Sequence, residues 1–334
     1  MTSMNQLAIQ SHIRRVCTPL DRVGRGSKPR QLHVSHLGFL CPVETQEGPA
    51  CGLLKAFALS SRVTHAPPPA VVRAYRARCL ELLQGGCELS EDGGGGTVLV
   101  FFNGEILGEI ADDDAAGYVQ RVRAETVGAD VPATPVHFSP SVYQASSGHV
   151  YVHTDEGRIV RPLLTLPPRD GFPRLHNAAE VDELLRGGDL RYVDSAECCA
   201  RDIAMDPAAQ AGAGNNHDLG EVHPILMLGV TAACIPFLQC NQSPRNAYQT
   251  SMGRQSVSAP LPPGPFDLSP SLCYPQRPLC PAALPGSSLE VTESAAPMGQ
   301  NLVIAVCPYG GCNRPGRPIT WNRAPSPPKT TASS

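Results

Sequence analysis

Proline and glycine interrupt this chain so often that long helices are excluded from most of it. The 31 glycines and 34 prolines make up about a fifth of its 334 residues, where about an eighth is usual. Each proline removes a backbone donor, and each glycine weakens the interior of a helix or strand. Aromatic residues account for only 5%. The chain is therefore predicted to be a mixed, strand-rich α+β protein of several domains, with short elements joined by turns.

Charge is divided unevenly along the chain. The total is close to neutral, with a formal net charge of −3, which excludes a strongly basic, free-standing nucleic-acid binder. Residues 1–30 and 241–334 are nevertheless basic, whereas residues 31–240 are acidic. This division predicts one part that faces a polyanion and another that faces solvent.

The cysteines and apolar runs restrict the class of protein further. Thirteen cysteines are scattered without a Cys-x-x-Cys pair, which favours structural thiols and leaves a zinc site as the open alternative. No apolar run approaches the ~18 residues of a membrane span. The N-terminus lacks the apolar core of a secretory signal, so we expect a reducing, intracellular environment and no membrane partner.

Periodicity and turn residues predict the main elements. Asn103-Gly104 between two alternating apolar runs predicts a two-residue β-hairpin. Residues 221–237 are the most apolar run and are expected to form a buried helix or strand–helix unit. The remaining predictions are helices over 1–16, 71–83, 112–124 and 178–185, and strands over 97–102, 105–110, 136–137, 148–153, 190–193 and 301–307.

A helix start at residue 243 carries the best functional candidate. Ser243 is expected to cap the helix with Pro244 at its first position. Arg245 then lies where the helix dipole favours an anion, and neutral donors surround it: Asn241, Gln242, Asn246 and Gln249. The alternative, a capping network with an exposed arginine, stays open.

A second candidate is the basic loop over residues 18–33. Its glycines and prolines predict irregular structure, and its side chains Arg22, Arg25, Lys28 and Arg30 have few acids beside them. Contact with a polyanion is one interpretation, and a solvated loop is the other. The glycine run at 93–96 lacks a phosphate-loop pattern, and the acids at 112–114 suit a helix start. We assign no catalytic residue and no metal ligand.

Two long motifs resemble a known family. RQLH at 30–33 followed by GFLCPVETQEGPACGL at 38–53, together with SHIRRVCTP at 11–19, resembles the fork region of the second-largest subunit of multi-subunit DNA-directed RNA polymerases. NQSPRNAYQTSMGRQ at 241–255, with EVHP at 221–224, resembles the start of its hybrid-binding region. TDEGRIVRPL at 154–163 is similar to its external domain. The matches run in family order from about residue 10 to 313, and are closest to the eukaryotic polymerase II and large-DNA-virus types.

The resemblance implies roles for individual residues. Arg245, with Asn241 and Gln242, is expected to contact the incoming nucleotide. Gln255, Arg254 and Gln249 are expected near the RNA 3′ end or the hybrid, and Arg22, Arg25, Lys28, Arg30 and Glu47 near DNA at the fork. In the family two Mg²⁺ ions serve the reaction, and their permanent ligands belong to the largest subunit rather than to this one.

The same resemblance implies an organisation and a setting. Residues 1–66 would be a fork-like segment, 67–196 an external-domain-like module, 197–313 the return and start of the hybrid-binding region, and 314–334 an unrelated, disordered tail. The implied function is a contribution to templated RNA synthesis without activity alone. The implied partners are the largest and other polymerase subunits, DNA, RNA and nucleoside triphosphates. The implied location is the nucleus, or a cytoplasmic viral factory or virion for a viral protein.

One departure from the family keeps rival interpretations open. Arg314-Pro315-Gly316 stands where the family has an acidic pair near the second metal, and later family landmarks are missing. We therefore expect a truncated, split or incorrectly assembled gene product. A non-catalytic paralogue that binds polymerase partners is the alternative, and a product without a stable fold is a third possibility.

Overall fold

The computed structural model describes most of the chain in ten stretches. They are residues 5–21, 26–84, 96–124, 138–145, 147–166, 178–207, 217–257, 272–276, 299–307 and 319–322. Helices and several sheets alternate along them, so the predicted mixed α+β class is confirmed. No helix in these stretches is long and apolar enough to span a membrane. The strand predicted at 136–137 lies outside the described residues.

The described α-helices are α1 (Gln6–Ile13), α2 (Pro69–Gln84), α3 (Asp112–Ala124), α4 (Ala178–Gly187), α5 (Ser195–Cys199), α6 (Val230–Ala233) and α7 (Ser243–Gly253). The strands are β1 (Arg15–Cys17), β2 (Leu40–Thr45), β3 (Leu54–Phe57), β4 (Arg62–Val63), β5 (Thr97–Phe102), β6 (Glu105–Ala111), β7 (Ser141–Gln144), β8 (Val150–His153), β9 (Ile159–Thr165), β10 (Leu190–Asp194), β11 (Ile203–Ala204), β12 (Leu219–Gly220), β13 (Ile304–Cys307) and β14 (Ile319–Asn322).

The N-terminal unit joins two distant segments of the chain, residues 6–57 and residues 230–253. It consists of the antiparallel sheet β1-β3-β2 together with α1, α6 and α7. Its small apolar core contains Cys41, Val43 and Ala56 from the strands and Ala232 from α6. Residues more than 170 positions apart in sequence thus share one core, and helix α7 packs directly on strand β2.

The middle module is a four-stranded sheet with two helices on one face. Its strand order is β6-β5-β8-β7, with β5 parallel to β8 and the other pairs antiparallel. Asn103 and Gly104 form the predicted hairpin turn with φ of 48° and 86°, the left-handed values that such a turn needs. Tyr75, Cys79 and Leu83 of α2, spaced four residues apart, face the core, as one side of an α-helix does.

A third sheet bridges the two units. Strand β9 pairs with β10 along one edge and with β4 and β12 along the other, and β11 extends the sheet in parallel with β12. Its strands come from three of the four segments predicted from the sequence, 1–66, 67–196 and 197–313, so the predicted boundary at residue 196 falls inside this bridging sheet.

Several local predictions were wrong. The apolar run 221–237 forms two short helical turns, Pro224–Met227 and α6, rather than one buried element, and Phe237 is exposed with a left-handed φ of 51°. Strand β7 was not predicted. A 3-10 turn occupies Lys28–Arg30 within the predicted irregular loop, because Pro29 fixes a φ that suits it.

The C-terminal elements also differ from expectation. The strand predicted over 301–307 is confined to 304–307, since Leu302 and Val303 are exposed and precede it. Residues 319–322, expected to be disordered, form strand β14 antiparallel to β13. These four residues are therefore ordered by backbone pairing, while the remainder of 314–334 lies outside the described residues.

Candidate nucleotide and nucleic-acid interface

Helix α7 begins with a group of exposed polar side chains. Asn241, Gln242, Arg245 and Gln249 are all exposed. The cap is Gln242, one residue earlier than predicted, and Ser243 is already helical. Gln242 has extended backbone and its carbonyl accepts from the N–H groups of Arg245 and Asn246 at 3.0 and 3.3 Å. This capping by backbone leaves the Gln242 amide and the Arg245 guanidinium directed to the surface.

Arg245 is held over an aromatic ring. Its guanidinium carbon lies 5.9 Å from the centroid of Tyr248, three residues further along α7. A cation over a tyrosine face is attracted by the ring quadrupole, and both side chains are exposed. The contact restricts the long arginine side chain without covering its donors, which suits a group that binds an anion.

Asn246 does not belong to this surface. It was expected among the neutral donors, but it is buried and its amide donates to the Leu238 carbonyl at 3.0 Å. Because this bond reaches back across the turn before α7, it fixes the direction in which the helix starts. Its contribution is structural, and the predicted donor group is smaller by one member.

The C-terminal end of α7 is bound to strand β2 by a buried ion pair. Arg254 Nη1 lies 2.8 Å from Glu44 Oε1, and the two side chains are only 14% and 3% exposed. Ser11 of α1 donates to the same oxygen at 2.5 Å. The guanidinium of Arg254 points inward, toward Glu44, and its expected place near the RNA 3′ end stays a prediction. Gln255, the next residue, is exposed.

A second polar contact, made by Asn5, joins the start of α1 to the end of α7. Asn5 caps α1 by accepting from Ala8 N at 2.8 Å, and its amide donates at 2.8 Å to the carbonyls of Gly253 and Ser256. Asn5 is buried. One side chain therefore satisfies open backbone groups at the N-terminus of α1 and at the C-terminus of α7.

The predicted fork residues divide into exposed and engaged groups. Lys28 and Glu47 are exposed. Arg30 donates to the carbonyls of Pro49 and Cys51 at 2.6 and 2.9 Å, so it ties the basic loop to the turn after β2. Arg22 and Arg25 lie outside the described residues. A role in DNA contact stays a prediction for all five.

The sequence pattern did not single out Glu44, Ser11 or Asn5 as site residues. Glu44 and Ser11 are part of the motifs quoted above, but the resemblance implied a role for Glu47 and not for them. The available signal for Glu44 was its place inside a short apolar strand beside Val43, where an acid needs a partner. The partner, Arg254, is 210 positions away and cannot be inferred from spacing.

Comparison with known proteins agrees with this geometry. Residues 1–63 match the family model described as RNA polymerase Rpb2, domain 3, and residues 231–315 match RNA polymerase Rpb2, domain 6. The chain is 30% identical to DNA-directed RNA polymerase II subunit RPB2 of Encephalitozoon cuniculi over 93% of its own length. The chain belongs to the second-largest-subunit family of multi-subunit RNA polymerases.

Other members of the second-largest-subunit family show similar agreement. RPB2 of Schizosaccharomyces pombe is 30% identical over 91% of the chain, and subunit Rpo2 of Sulfolobus acidocaldarius is 29% identical over 92%. The chain spans 28–29% of the length of these relatives. The two family models fall on the two sequence segments that meet in the N-terminal unit.

Other family motif residues serve to join segments. Arg161 of β9 pairs with Glu221 through Nη1 and Oε1 at 2.5 Å, both about 5% exposed, and lies 5.3 Å from the Phe39 ring. Burial raises the pKa of Glu221, while Arg161 opposes that shift. A side chain at Gly38 would overlap this guanidinium, since a Cβ there would lie within 2.0 Å of it. These second-largest-subunit motif residues hold the bridging sheet to the N-terminal unit.

Proposed function

We propose that this chain contributes fork, nucleotide and RNA–DNA hybrid contacts to templated RNA synthesis, as part of a DNA-directed RNA polymerase. The observation that carries the proposal is the exposed group Asn241, Gln242, Arg245 and Gln249 on a helix fixed at both ends by buried polar contacts. The family membership of the chain supports it. The chain would act within a nucleotidyltransferase assembly and would not be active alone.

Arg245 would bind phosphate oxygens of the incoming nucleoside triphosphate. A guanidinium presents several donors in a plane and keeps its charge at physiological pH, so it both orients and neutralises a phosphate. Asn241 and Gln242 would add neutral donors at the helix start. Stabilising charge on a transferring phosphoryl group is the main means by which proteins assist such reactions. Gln249, Arg254 and Gln255 would be nearest the RNA 3′ end or the hybrid.

The buried polar contacts at the two ends of α7 would fix the direction of its exposed side chains. Arg254 would serve through its ion pair with Glu44 rather than by free contact with RNA, because its guanidinium is already engaged. Since one end of α7 is held by Asn246 and the other by Arg254 and Asn5, the exposed donors between them keep a constant direction. Positioning of this kind accounts for a large part of rate enhancement.

The described residues contain no group of side chains that could ligate the Mg²⁺ ions of the family reaction. No group of three His, Cys, Asp or Glu side chains there could hold a metal ion, and residues 314–316 lie outside that part. We therefore assign no step of this chain's chemistry to a metal. The ions are proposed to be held mainly by the largest subunit, which we propose as a partner together with other polymerase subunits, DNA and RNA.

The proposed location is the nucleus. Two of the relatives compared above, those of Encephalitozoon cuniculi and Schizosaccharomyces pombe, are named as subunits of RNA polymerase II. Location in a viral factory or virion is the alternative.

The test is an assembly that contains this chain. The tagged chain should co-purify with a largest polymerase subunit, and the assembly should extend RNA on a template. Arg245→Ala should leave assembly intact and raise the apparent KM for nucleoside triphosphates about tenfold or more, because a charge-assisted hydrogen bond to phosphate is lost. Arg78→Ala, a matched change of an exposed arginine on α2, should leave KM unchanged.

Two results would contradict the proposal in different ways. Failure to recover a largest subunit would exclude polymerase assembly. Recovery with normal synthesis and an unchanged KM in Arg245→Ala would exclude the nucleotide contact and favour a non-catalytic partner of polymerase.

A further inference from the structure

Three arginines converge on an open pocket beside the bridging sheet. Arg123 comes from the last turn of α3, Arg191 from β10, and Arg201 from the segment after α5, and all three line a cavity of about 650 Å³. Thr165, at the end of β9, lines the same cavity. None of these residues belongs to α7 or to strands β1–β3, so this pocket is separate from the nucleotide surface proposed above.

The arginines share one buried carboxylate. Arg123 Nη2 lies 2.8 Å from Glu197 Oε1, Arg191 contacts the same oxygen, and Arg201 Nε is 4.0 Å from it. Glu197 is 1% exposed, and its other oxygen accepts from Ser141 at 3.0 Å. At the centre of this cluster, the single carboxylate of Glu197 thus faces three guanidinium groups.

The second acid near the cluster is on its rim. Asp218 pairs with Arg201 but is 69% exposed, so solvent weakens its effect on the buried arginines. Burial and, to a smaller extent, the charges of the neighbouring arginines together lower the pKa of Arg123 and of Arg191 to about 9. Among the described residues of this cluster, three arginines face two acids, which leaves one positive charge unbalanced in a place where water screens charge poorly.

Two buried donors in the pocket have no acceptor in the described part of the chain. They are Arg191 Nε and Thr165 Oγ1. Leaving a buried donor without a partner costs free energy, and native structures usually supply one from protein, water or ligand. A structural role around Glu197 explains the contacts of Arg123 and Arg191 with that carboxylate. It does not explain the two open donors, Arg191 Nε and Thr165 Oγ1.

We propose that this pocket binds a phosphoryl oxyanion. Such a group would supply the missing negative charge and several acceptors for Arg191, Arg201 and Thr165 at once, and guanidinium groups match the geometry of phosphate oxygens. Inorganic phosphate and the phosphate of an organic ester present the same oxygens to the pocket. Because the cavity is larger than a free phosphate ion, it has room for either ligand.

The experiment is titration of the purified full chain with inorganic phosphate, followed by calorimetry, with potassium chloride at matched ionic strength as the reference. Saturable binding at one site is expected with phosphate and not with chloride. Arg201→Gln should weaken it about tenfold or more, and Thr165→Val about fivefold, since the first removes a charged donor and the second a neutral one. Arg78→Gln, the same change on exposed helix α2, should have no effect.

A second set of variants separates loss of phosphate binding from loss of folding. Thr165→Val replaces a hydroxyl that has no hydrogen-bond partner among the described residues by a group of similar shape, so it is expected to fold even if Arg201→Gln does not. Titration with a nucleoside monophosphate distinguishes an ester from free phosphate as the better ligand. Arg245→Ala should leave phosphate binding here unchanged, which separates this pocket from the proposed nucleotide surface.

Absence of saturable phosphate binding would overturn the proposal. Binding that Arg201→Gln and Thr165→Val both leave unaltered would overturn it equally, because the ion would then lie elsewhere on the chain.

Discussion

The N-terminal unit and the middle module are stabilised in different ways. In the middle module, α2 and α3 pack on one face of a sheet, and apolar side chains such as Tyr118 of α3, Val100 of β5 and Val152 of β8 are buried between the layers. In the N-terminal unit the apolar core is small, and its elements are joined by the buried polar contacts of Asn5, Glu44 and Arg254.

The two kinds of contact also differ in their reach along the chain. The core of the middle module is made by residues between 75 and 152. The polar contacts of the N-terminal unit close separations of 210 and 248 residues. Apolar burial is tolerant of direction, whereas hydrogen bonds and ion pairs fix it. The surface that is proposed to bind a nucleotide is thus held by hydrogen bonds and an ion pair, which fix orientation more strictly than apolar packing does and are more sensitive to substitution.

Loss of the buried carboxylate should give the largest effect. Glu44→Ala leaves the mostly buried Arg254 without its counter-charge and Ser11 without its acceptor. Breaking such a pair from one side lowers the free energy of unfolding by about 3 kcal/mol. Urea unfolding measures that loss, and hydrogen exchange should show faster opening of α7 than of the middle module.

The matched control is Glu47→Ala, a change of an exposed glutamate three residues away. It should alter stability by less than about 0.5 kcal/mol. Equal effects of the two substitutions would mean that the Glu44–Arg254 pair does not hold α7.

A cavity in the middle module should have a slightly smaller and more local effect. Ile110 and Ile106 lie on the same strand, β6, but are 3% and 61% exposed. Ile110→Ala should lower the free energy of unfolding by about 2 to 3 kcal/mol, since it leaves a cavity, and Ile106→Ala by less than about 0.5 kcal/mol.

Hydrogen exchange then separates the two regions. Ile110→Ala should speed exchange in residues 97–124 and leave α7 unaffected. Equal acceleration in α7 would show that the two regions open as one cooperative unit, and the contrast drawn between them would be wrong.

The same contrast explains what could be predicted from the sequence. Helix α3 and the β5–β6 hairpin were predicted almost to the residue, because the acids at 112–114 and the Asn103-Gly104 turn are local signals. The cap of α7 was misplaced by one residue. Ser243 is a common capping type, but here the Gln242 backbone takes that place while Asn246 bonds to Leu238.

Long-range polar pairing could not be predicted at all. The resemblance placed Arg254 near RNA, but sequence spacing gave no sign of its partner Glu44, which is 210 positions away. The bridging sheet was missed for the same reason, since strands of two residues, such as β4 and β11, have no periodicity to detect. Arg245, whose position depends only on a local helix start, is placed at the surface as expected.

The smallest expected effect is a pH dependence in the N-terminal unit. Burial raises the pKa of the Cys234 thiol to about 11 from an ordinary 9.0, and the negative charge of Glu44 adds to the shift. Cys234 Sγ also lies 3.3 Å from the Val230 carbonyl, to which it donates. The folded chain therefore keeps this proton at a pH where the unfolded chain releases it.

A group whose pKa is raised by folding contributes stability in full below its unfolded pKa and loses it as pH rises through the folded value. For Cys234 the loss extends from about pH 9 to about pH 11 and reaches about 1 kcal/mol between pH 8 and pH 10. The lowered pKa values of Arg123 and Arg191, about 9, act in the opposite direction in this range, so the pH dependence of the wild-type chain alone does not report on Cys234.

The test therefore compares variants. The stability of the wild-type chain relative to Cys234→Ala should fall by about 1 kcal/mol from pH 8 to pH 10. The stability of the wild-type chain relative to Cys240→Ala, a change of an exposed cysteine, should stay constant. Urea unfolding at the two pH values measures both differences, and a constant difference for Cys234→Ala would show that its thiol is not shielded by the packing of α6 against the rest of the N-terminal unit.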